Sequence, residues 1–486
     1  EVEILVEAKH KEDATDSARK NFTVTVPAKC DDALIFPSVA LPNVKPNVLP
    51  ALQEWYGTSG TFVMNEATKL LYNTDDQAIV SKAITAMNED LAEIKGYTLA
   101  SDIASTPTTN SIYFEVDDRD VYDVKKEGYY IEIREDVIKV HANTYTGILY
   151  ATVTLEQIMT TSVDGNIPCG IIRDYPDYEI RGVMFDVGRI PHRLSYLQDY
   201  TRILKWYKLN EFHLHLNDDF HYSPTAQSTG WNVWSGMHRL ESDVYPSLIE
   251  RQIYTGDQFT YFNEEYADPT YSKEEFIALT KMANDNGIDL IAELDTPSHA
   301  TAYIEYARNN PDNISWLGEI NTTTSSAFNN SQMLALDVNS SNATEKQHAL
   351  NARKFIEELY ADYLGGDNPT FLSDTVHVGA DEYWDHNTSG IKDKFALFAD
   401  EMRKVIQGNL GEDTKIRMWG AGIRNFSTAT TVLGMTSAEL AKHYQLDIWH
   451  TAYDNPRQRA AEGYQIVNCR DAFVYGNPGR TQRDVP

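Results

Sequence analysis

The stretch Gly182-Val183-Met184-Phe185-Asp186, a helical pattern from Leu197 to Leu209, and then Phe212-His213-Leu214-His215-Leu216-Asn217-Asp218-Asp219 decide how the chain is read. Each apolar run has strand length and ends in polar groups, and a segment of helical period separates them, which is the pattern of a parallel β–α–β unit. The same unit recurs downstream. Strands are predicted near 182–187, 212–216, 288–294, 375–379, 415–419, 446–450 and 464–468, with helices over Lys273–Asn286, Glu345–Leu364 and Lys392–Gln407. Seven such strands predict an α/β fold, a (β/α)8 TIM barrel truncated before its last strand. A doubly wound open sheet would show the same alternation.

Upstream the rhythm differs. Asp75 to Ile94 carries apolar residues at helical spacing, Tyr129–Ile133 and Val137–Val140 read as a hairpin, and Thr146–Met159 as a helix, giving a small α+β domain. Alternation at Val2, Ile4, Val6 and at Phe22, Val24, Val26, followed by Pro37, Pro42, Pro46 and Pro50, reads as the end of a preceding β-domain with its linker. The expected division is 1–45, 46–175 and 176–486.

Among 486 residues, 42 Lys+Arg stand against 72 Asp+Glu, a net charge of −30. Nucleic-acid binding needs the opposite sign, and anionic membranes and ligands are disfavoured as well. Neutral ligands fit better. Cys30, Cys169 and Cys469 form no C-x-x-C pair, so no zinc cluster or disulfide framework is indicated. The chain has no run of 18 apolar residues, and no membrane insertion is expected.

In a parallel barrel, functional groups sit at the C-terminal ends of strands. Here those ends carry Asp186 and Arg189; His213, His215, Asp218 and Asp219; Glu293, Asp295 and His299; His377, Asp381 and Glu382; Trp419; Trp449; and Tyr475 with Asn477. In Val376-His377-Val378-Gly379-Ala380-Asp381-Glu382, two small residues allow a tight turn before adjacent acids. Neighbouring carboxyls resist joint ionisation, so one is expected to hold its proton near neutral pH. Glycoside cleavage needs such an acid beside a second carboxyl that stabilises positive charge. His213 and His215, at period two on one strand, also fit a metal-dependent amidohydrolase. Asp295 and His299 span a Pro turn and can polarise a neighbouring carboxyl, while the two strand-end tryptophans suit sugar faces.

Together these segments resemble the family 20 glycoside hydrolases, the β-N-acetylhexosaminidases, and in particular their large bacterial surface members. The likeness runs from Gly128-Tyr129-Tyr130-Ile131-Glu132-Ile133 and the helix Thr146–Gln157, through Asp174-Tyr175-Pro176-Asp177-Tyr178, to His377-Val378-Gly379-Ala380-Asp381-Glu382. It implies release of terminal β-linked N-acetylhexosamine, without a cofactor or metal, through an oxazolinium ion formed by the substrate's own acetamido group. Glu382 would be acid and base, and Asp381 would orient the acetamido N–H. Arg181, Asp218, His299, Trp419, Trp449, Tyr475 and Asn477 would bind substrate, with Asp295 and His377 supporting. The resemblance also implies an extracellular or cell-surface protein. A lacto-N-biosidase is the alternative within the same chemistry, and a non-catalytic glycan-binding barrel lies outside it.

Overall fold

A computed structural model describes residues 2–9, 17–24, 42–162, 165–189, 192–218, 221–222, 233–234, 237–250, 270–311, 316–319, 333–383, 390–423, 429–450 and 454–470. Near the N-terminus, Val2–Lys9 and Ser17–Val24 pair antiparallel, so the second strand starts before the alternation at Phe22. The small domain is a seven-stranded sheet in the order Glu54–Phe62, Ile167–Asp174, Tyr129–Ile133, Val137–Ala142, Ser111–Val116, Lys69–Tyr72, Ser101–Ile103. Helices Gln77–Lys95 and Tyr145–Thr161 bury Val80, Met87, Leu91, Ile148 and Ile158 in the same core as Ile112, Phe114, Ile131, Ile138 and Ile172. Thr144 caps the second of these helices by accepting from the Gly147 N–H.

The second unit contains seven strands in sequential order: β1 (Gly182–Asp186), β2 (Glu211–His215), β3 (Asp289–Glu293), β4 (Thr375–His377), β5 (Lys415–Trp419), β6 (Tyr444–Ile448) and β7 (Gln465–Asn468). Every pairing between them is parallel. A doubly wound sheet must reverse its strand order at a switch point. This order never reverses, as a barrel requires. Among the described residues, β1 and β7 each have one neighbour.

Helices α1 (Leu194–Trp206), α2 (Lys273–Asp285), α3 (Ala343–Leu364) and α4 (Ile391–Leu410) lie between strands. Strand period two explains how one sequence serves both layers. On β2, Phe212 and Leu214 join the hydrophobic core with Leu197 and Leu204 of α1, whereas Glu211, His213 and His215 turn to the polar side. β4 stops two residues short of expectation because Gly379 takes a left-handed φ of 70°. β6 begins and ends two residues early, which leaves Trp449 just beyond it.

The two units share a charged seam. Lys208, which follows α1, is buried and donates to Tyr129 Oη (2.6 Å) and Asp174 Oδ2 (3.1 Å) of the small domain. Tyr129 also donates to Asp174, and burial together with that carboxylate pushes its hydroxyl well above the usual tyrosine range. Lys205 donates to Asp90 (2.6 Å), and Gln157 to the Trp206 carbonyl (2.6 Å). Removing one partner of a buried ion pair typically costs 3–5 kcal/mol because the other charge stays desolvated. Lys208→Met is therefore expected to lose roughly 3 kcal/mol, and Tyr129→Phe about 1 kcal/mol. Urea titrations of the two variants and the parent would show both the losses and their order.

Candidate active site

The interior of the barrel is organised around one carboxylate. Glu293, at the end of β3, is fully buried. Its Oε2 lies 2.7 Å from His215 Nδ1 and 2.9 Å from His213 Nε2, both on β2. Its Oε1 accepts from the Trp419 indole on β5 (2.8 Å) and lies 3.2 Å from His377 Nδ1 on β4. Burial pushes the Glu293 carboxyl up, but His215, His377 and His213 outweigh that effect and hold it well below the ordinary range. His213 goes down through burial and the neighbouring His377.

His215 carries the network towards the strand ends. Its second nitrogen, Nε2, is 2.7 Å from Asp218 Oδ2. Ionised carboxylates only accept, so a ring with a carboxylate on each nitrogen is a doubly protonated imidazolium. Burial alone would lower its proton affinity, but Glu293, Asp186 and Asp218 raise it well above the usual histidine range. Asp218 also pairs with Arg189 Nη2 (2.6 Å) and His299 Nδ1 (2.9 Å). These three cations overcome burial and hold its carboxyl far down.

His299 then meets the acid pair. Its Nε2 lies 3.5 Å from Asp381 Oδ1 and 3.3 Å from Glu382 Oε2. Against burial, Asp218, Asp381 and Asp295 keep His299 strongly basic. Burial raises Asp381 to about 6, with Glu382 adding to the rise and His299 opposing it. Burial also acts on Glu382, but the His299 hydrogen bond and charge, with Arg189, bring it below its ordinary value. The two adjacent carboxyls therefore have separated proton affinities, with Asp381 the more basic of the two in the free site.

The turn that presents them is held from behind. Gly379, Ala380 and Glu382 all have left-handed φ values, 70°, 77° and 49°. Asp295 Oδ1 accepts the Ala380 N–H at 3.0 Å, and the Gly379 N–H donates to His377 Nδ1 at 3.0 Å. Asn217 fixes the turn that carries Asp295 and His299: its amide donates to the Asp295 and His299 carbonyls (3.0 and 3.2 Å) and accepts the Asp295 N–H (2.8 Å). Asp295 itself is held well above the normal range by burial and then by the Asp381 charge.

Several expectations are revised. Arg181 precedes β1, at the end of the barrel away from the acids, and its guanidinium is taken up by Glu127 (2.6 Å) and the Lys208 and Tyr178 carbonyls. The arginine at the site is Arg189, which also pairs with Asp186 (2.9 Å). Strand polarity distinguishes them, because Arg189 follows β1 whereas Arg181 comes before it. Asp218 was expected at the substrate, but it is completely buried and saturated by cations. His299 sits where it can reach the acids, His377 braces the turn, and Trp419 is nearly buried with its indole committed to Glu293. Trp449 stands half-buried beside His450, with ring centroids 5.6 Å apart. Tyr475 and Asn477 lie outside the described residues. Asn217 and the central part played by Glu293 are absent from the motif reading.

The same hydrogen bonds bear on the amidohydrolase alternative. His215 lies within metal-ligand reach of Asp186 and Asp218 and of Glu293 and Asp295, but both its nitrogens are bonded to carboxylates, so a metal there would have to displace the protons that make those bonds.

Comparison with known proteins places these features in one class, the glycoside hydrolase barrels with a preceding α+β domain. The family model "Glycosyl hydrolase family 20, catalytic domain" matches residues 178–485, and "Glycosyl hydrolase family 20, domain 2" matches residues 45–175. The chain belongs to glycosyl hydrolase family 20. It is 24% identical over 268 residues to a β-hexosaminidase of Porphyromonas gingivalis, covering 53% of this chain and 31% of that protein. It is 20% identical over 482 residues to a lacto-N-biosidase of Bifidobacterium bifidum, covering 95% of this chain and 36% of the relative. The chain thus spans about a third of the length of these curated relatives. A mutant Streptomyces plicatus β-hexosaminidase in complex with its product GlcNAc superposes with a TM-score of 0.65 at 17% identity, covering 90% of this chain and 76% of that one.

Gly379 is the least replaceable residue of the turn. A Cβ there would fall 1.9 Å from Asp295 Oδ1, whereas the methyl of Ala380 is already accommodated. Gly379→Ala should lower the thermal midpoint by several degrees, and Ala380→Gly should leave it nearly unchanged; differential scanning calorimetry of both variants tests the contrast.

Proposed function

We propose that this chain hydrolyses terminal β-linked N-acetylhexosaminides with retention, using the substrate's 2-acetamido oxygen as nucleophile. The observation that carries this reading is the pair Asp381 and Glu382, presented by a rigid turn and both within 3.5 Å of the His299 imidazole. Glu382, held below its ordinary value by His299 and Arg189 in the free site, has to take up a proton as substrate binds; it then donates that proton to the leaving glycosidic oxygen and later takes one from the incoming water. Asp381, once ionised, accepts a hydrogen bond from the acetamido N–H and stabilises the positive charge that develops as its carbonyl oxygen attacks C1. No protein carboxylate has to form a covalent bond, so the two acids can be adjacent instead of facing each other across the sugar. Arg189, paired with Asp186 and Asp218 at the end of β1, is a cationic group at the strand ends that can turn a donor to sugar hydroxyls.

A second reading is favoured by one observation, the alignment of 95% of the chain with a lacto-N-biosidase. That reading keeps the same acids and differs in releasing a disaccharide. Parallel assays on aryl N-acetylglucosaminide and aryl lacto-N-bioside separate the two, because only the favoured substrate will show turnover that a thiazoline mimic of the oxazolinium ion abolishes.

Two further outcomes follow from the acid pair. Since Asp381 must be ionised and is pushed up to about 6, kcat/KM should decline as the pH falls through about 6. Asp381→Asn should remove that limb and lower kcat by roughly 100- to 1,000-fold. Glu382→Gln should lower kcat by about 100- to 10,000-fold on substrates with poor leaving groups, and much less on a nitrophenyl glycoside, whose leaving group needs no proton. Steady-state kinetics across pH 4–9, about the range over which carboxyl and imidazole groups titrate, would show both effects.

A further inference from the structure

We propose that Glu293, which touches no substrate, is a positioning residue that locks His215 between two carboxylates and so fixes Asp218, His299 and Glu382 in one orientation. This rests on the hydrolytic reading above but extends the catalytic network into the middle of the barrel. The chain of contacts is unbroken: Glu293 Oε2 to His215 Nδ1 at 2.7 Å, His215 Nε2 to Asp218 Oδ2 at 2.7 Å, Asp218 Oδ1 to His299 Nδ1 at 2.9 Å, and His299 Nε2 to Glu382 Oε2 at 3.3 Å.

Signs alternate along this line, anion, cation, anion, cation, acid, so each ring is held by a charge on either side. Glu293, Asp218, His215 and His299 are each at most 5% exposed, and water cannot substitute for a lost partner. The state of His215 is the link that Glu293 controls. With the Glu293 charge present, both nitrogens of His215 must donate. With an amide in its place, Nδ1 can accept instead of donate, so the neutral ring becomes accessible.

Other charges also face the relay. Asp186 and Asp295 act on the His215–His299 region, Arg189 acts on Asp218 and Glu382, and Asp381 acts on His299; His213 and His377 face Glu293 itself. None of them supplies a second acceptor at His215 Nδ1, which is bonded to Glu293.

The decisive variant is Glu293→Gln, which keeps shape and removes charge. In it His215 loses the largest charge that holds its second proton, leaving burial opposed by Asp186 and Asp218 alone, so its proton affinity falls and the relay weakens as pH rises. The expected result is a kcat defect that grows with pH, from a few-fold near pH 5 to roughly 10- to 100-fold near pH 8, with KM changed less than about twofold. A loss that is constant across pH, or no loss, would overturn the proposal, because a purely structural residue gives a pH-independent deficit.

A second measurement needs neither the variant nor turnover. In the unaltered chain labelled with 15N-histidine, His215, assigned by its missing signals in His215→Asn, should show two protonated ring nitrogens up to at least about pH 8, well above the ordinary histidine range. A single protonated nitrogen at neutral pH would refute the lock. If the chain releases no N-acetylhexosamine at all, the functional reading fails, while the histidine spectrum still decides the relay.

Discussion

A carboxylate with no access to water must be compensated or give up its charge, and in this barrel Glu293 is compensated. Four strands contribute to it: β3 supplies the carboxylate, β2 two imidazoles, β4 a third, and β5 an indole N–H. Because one anion is shared, the strand ends cannot shift independently. His377 braces the turn bearing the acids, and Trp419 is held with its ring 5.0 Å from that of His377. A hydrocarbon core would fill the same space with less cost, but it would not specify where each polar group ends up.

The second constraint is steric. Asp295 sits so close behind Gly379 that the backbone itself, not a rotamer choice, decides where Asp381 and Glu382 emerge. Left-handed backbone at non-glycine residues costs about 1–2 kcal/mol each, and here it occurs at Ala380 and Glu382 together. The hydrogen bonds from Asp295 and Asn217 keep the chain in that state. Such strain is commonly concentrated at functional sites.

The fold was legible because its signals are local. Apolar runs ending in polar residues and separated by helical spacing mark parallel strands wherever they pair, and all seven expected strands are present within a few residues. The acid pair was legible for a similar reason, since Gly379-Ala380-Asp381-Glu382 announces a tight turn at a strand end. Contacts between strands were not legible. Arg181 and Arg189 are both arginines flanking β1, and only the direction of the strand separates the seam from the site. Asp218 reads as a ligand group until its three cationic neighbours, drawn from β2 and two separate strand-end turns, are seen to saturate it. Glu293 carries no motif beyond its strand, and its importance comes entirely from residues 78 to 126 positions away in sequence.

Arg181, displaced from the sugar, has a counterpart role at the seam. With Lys205 and Lys208 it places three cations of the barrel unit against Glu127, Asp90 and Asp174 of the small domain. Each of these charges is ion-paired across the seam. In evolutionary language, recombination within the short stretch after Asp174 would join domains whose interfaces had not changed together. A change of sign on one face would leave a largely buried charge without its counterion unless the other face changed with it.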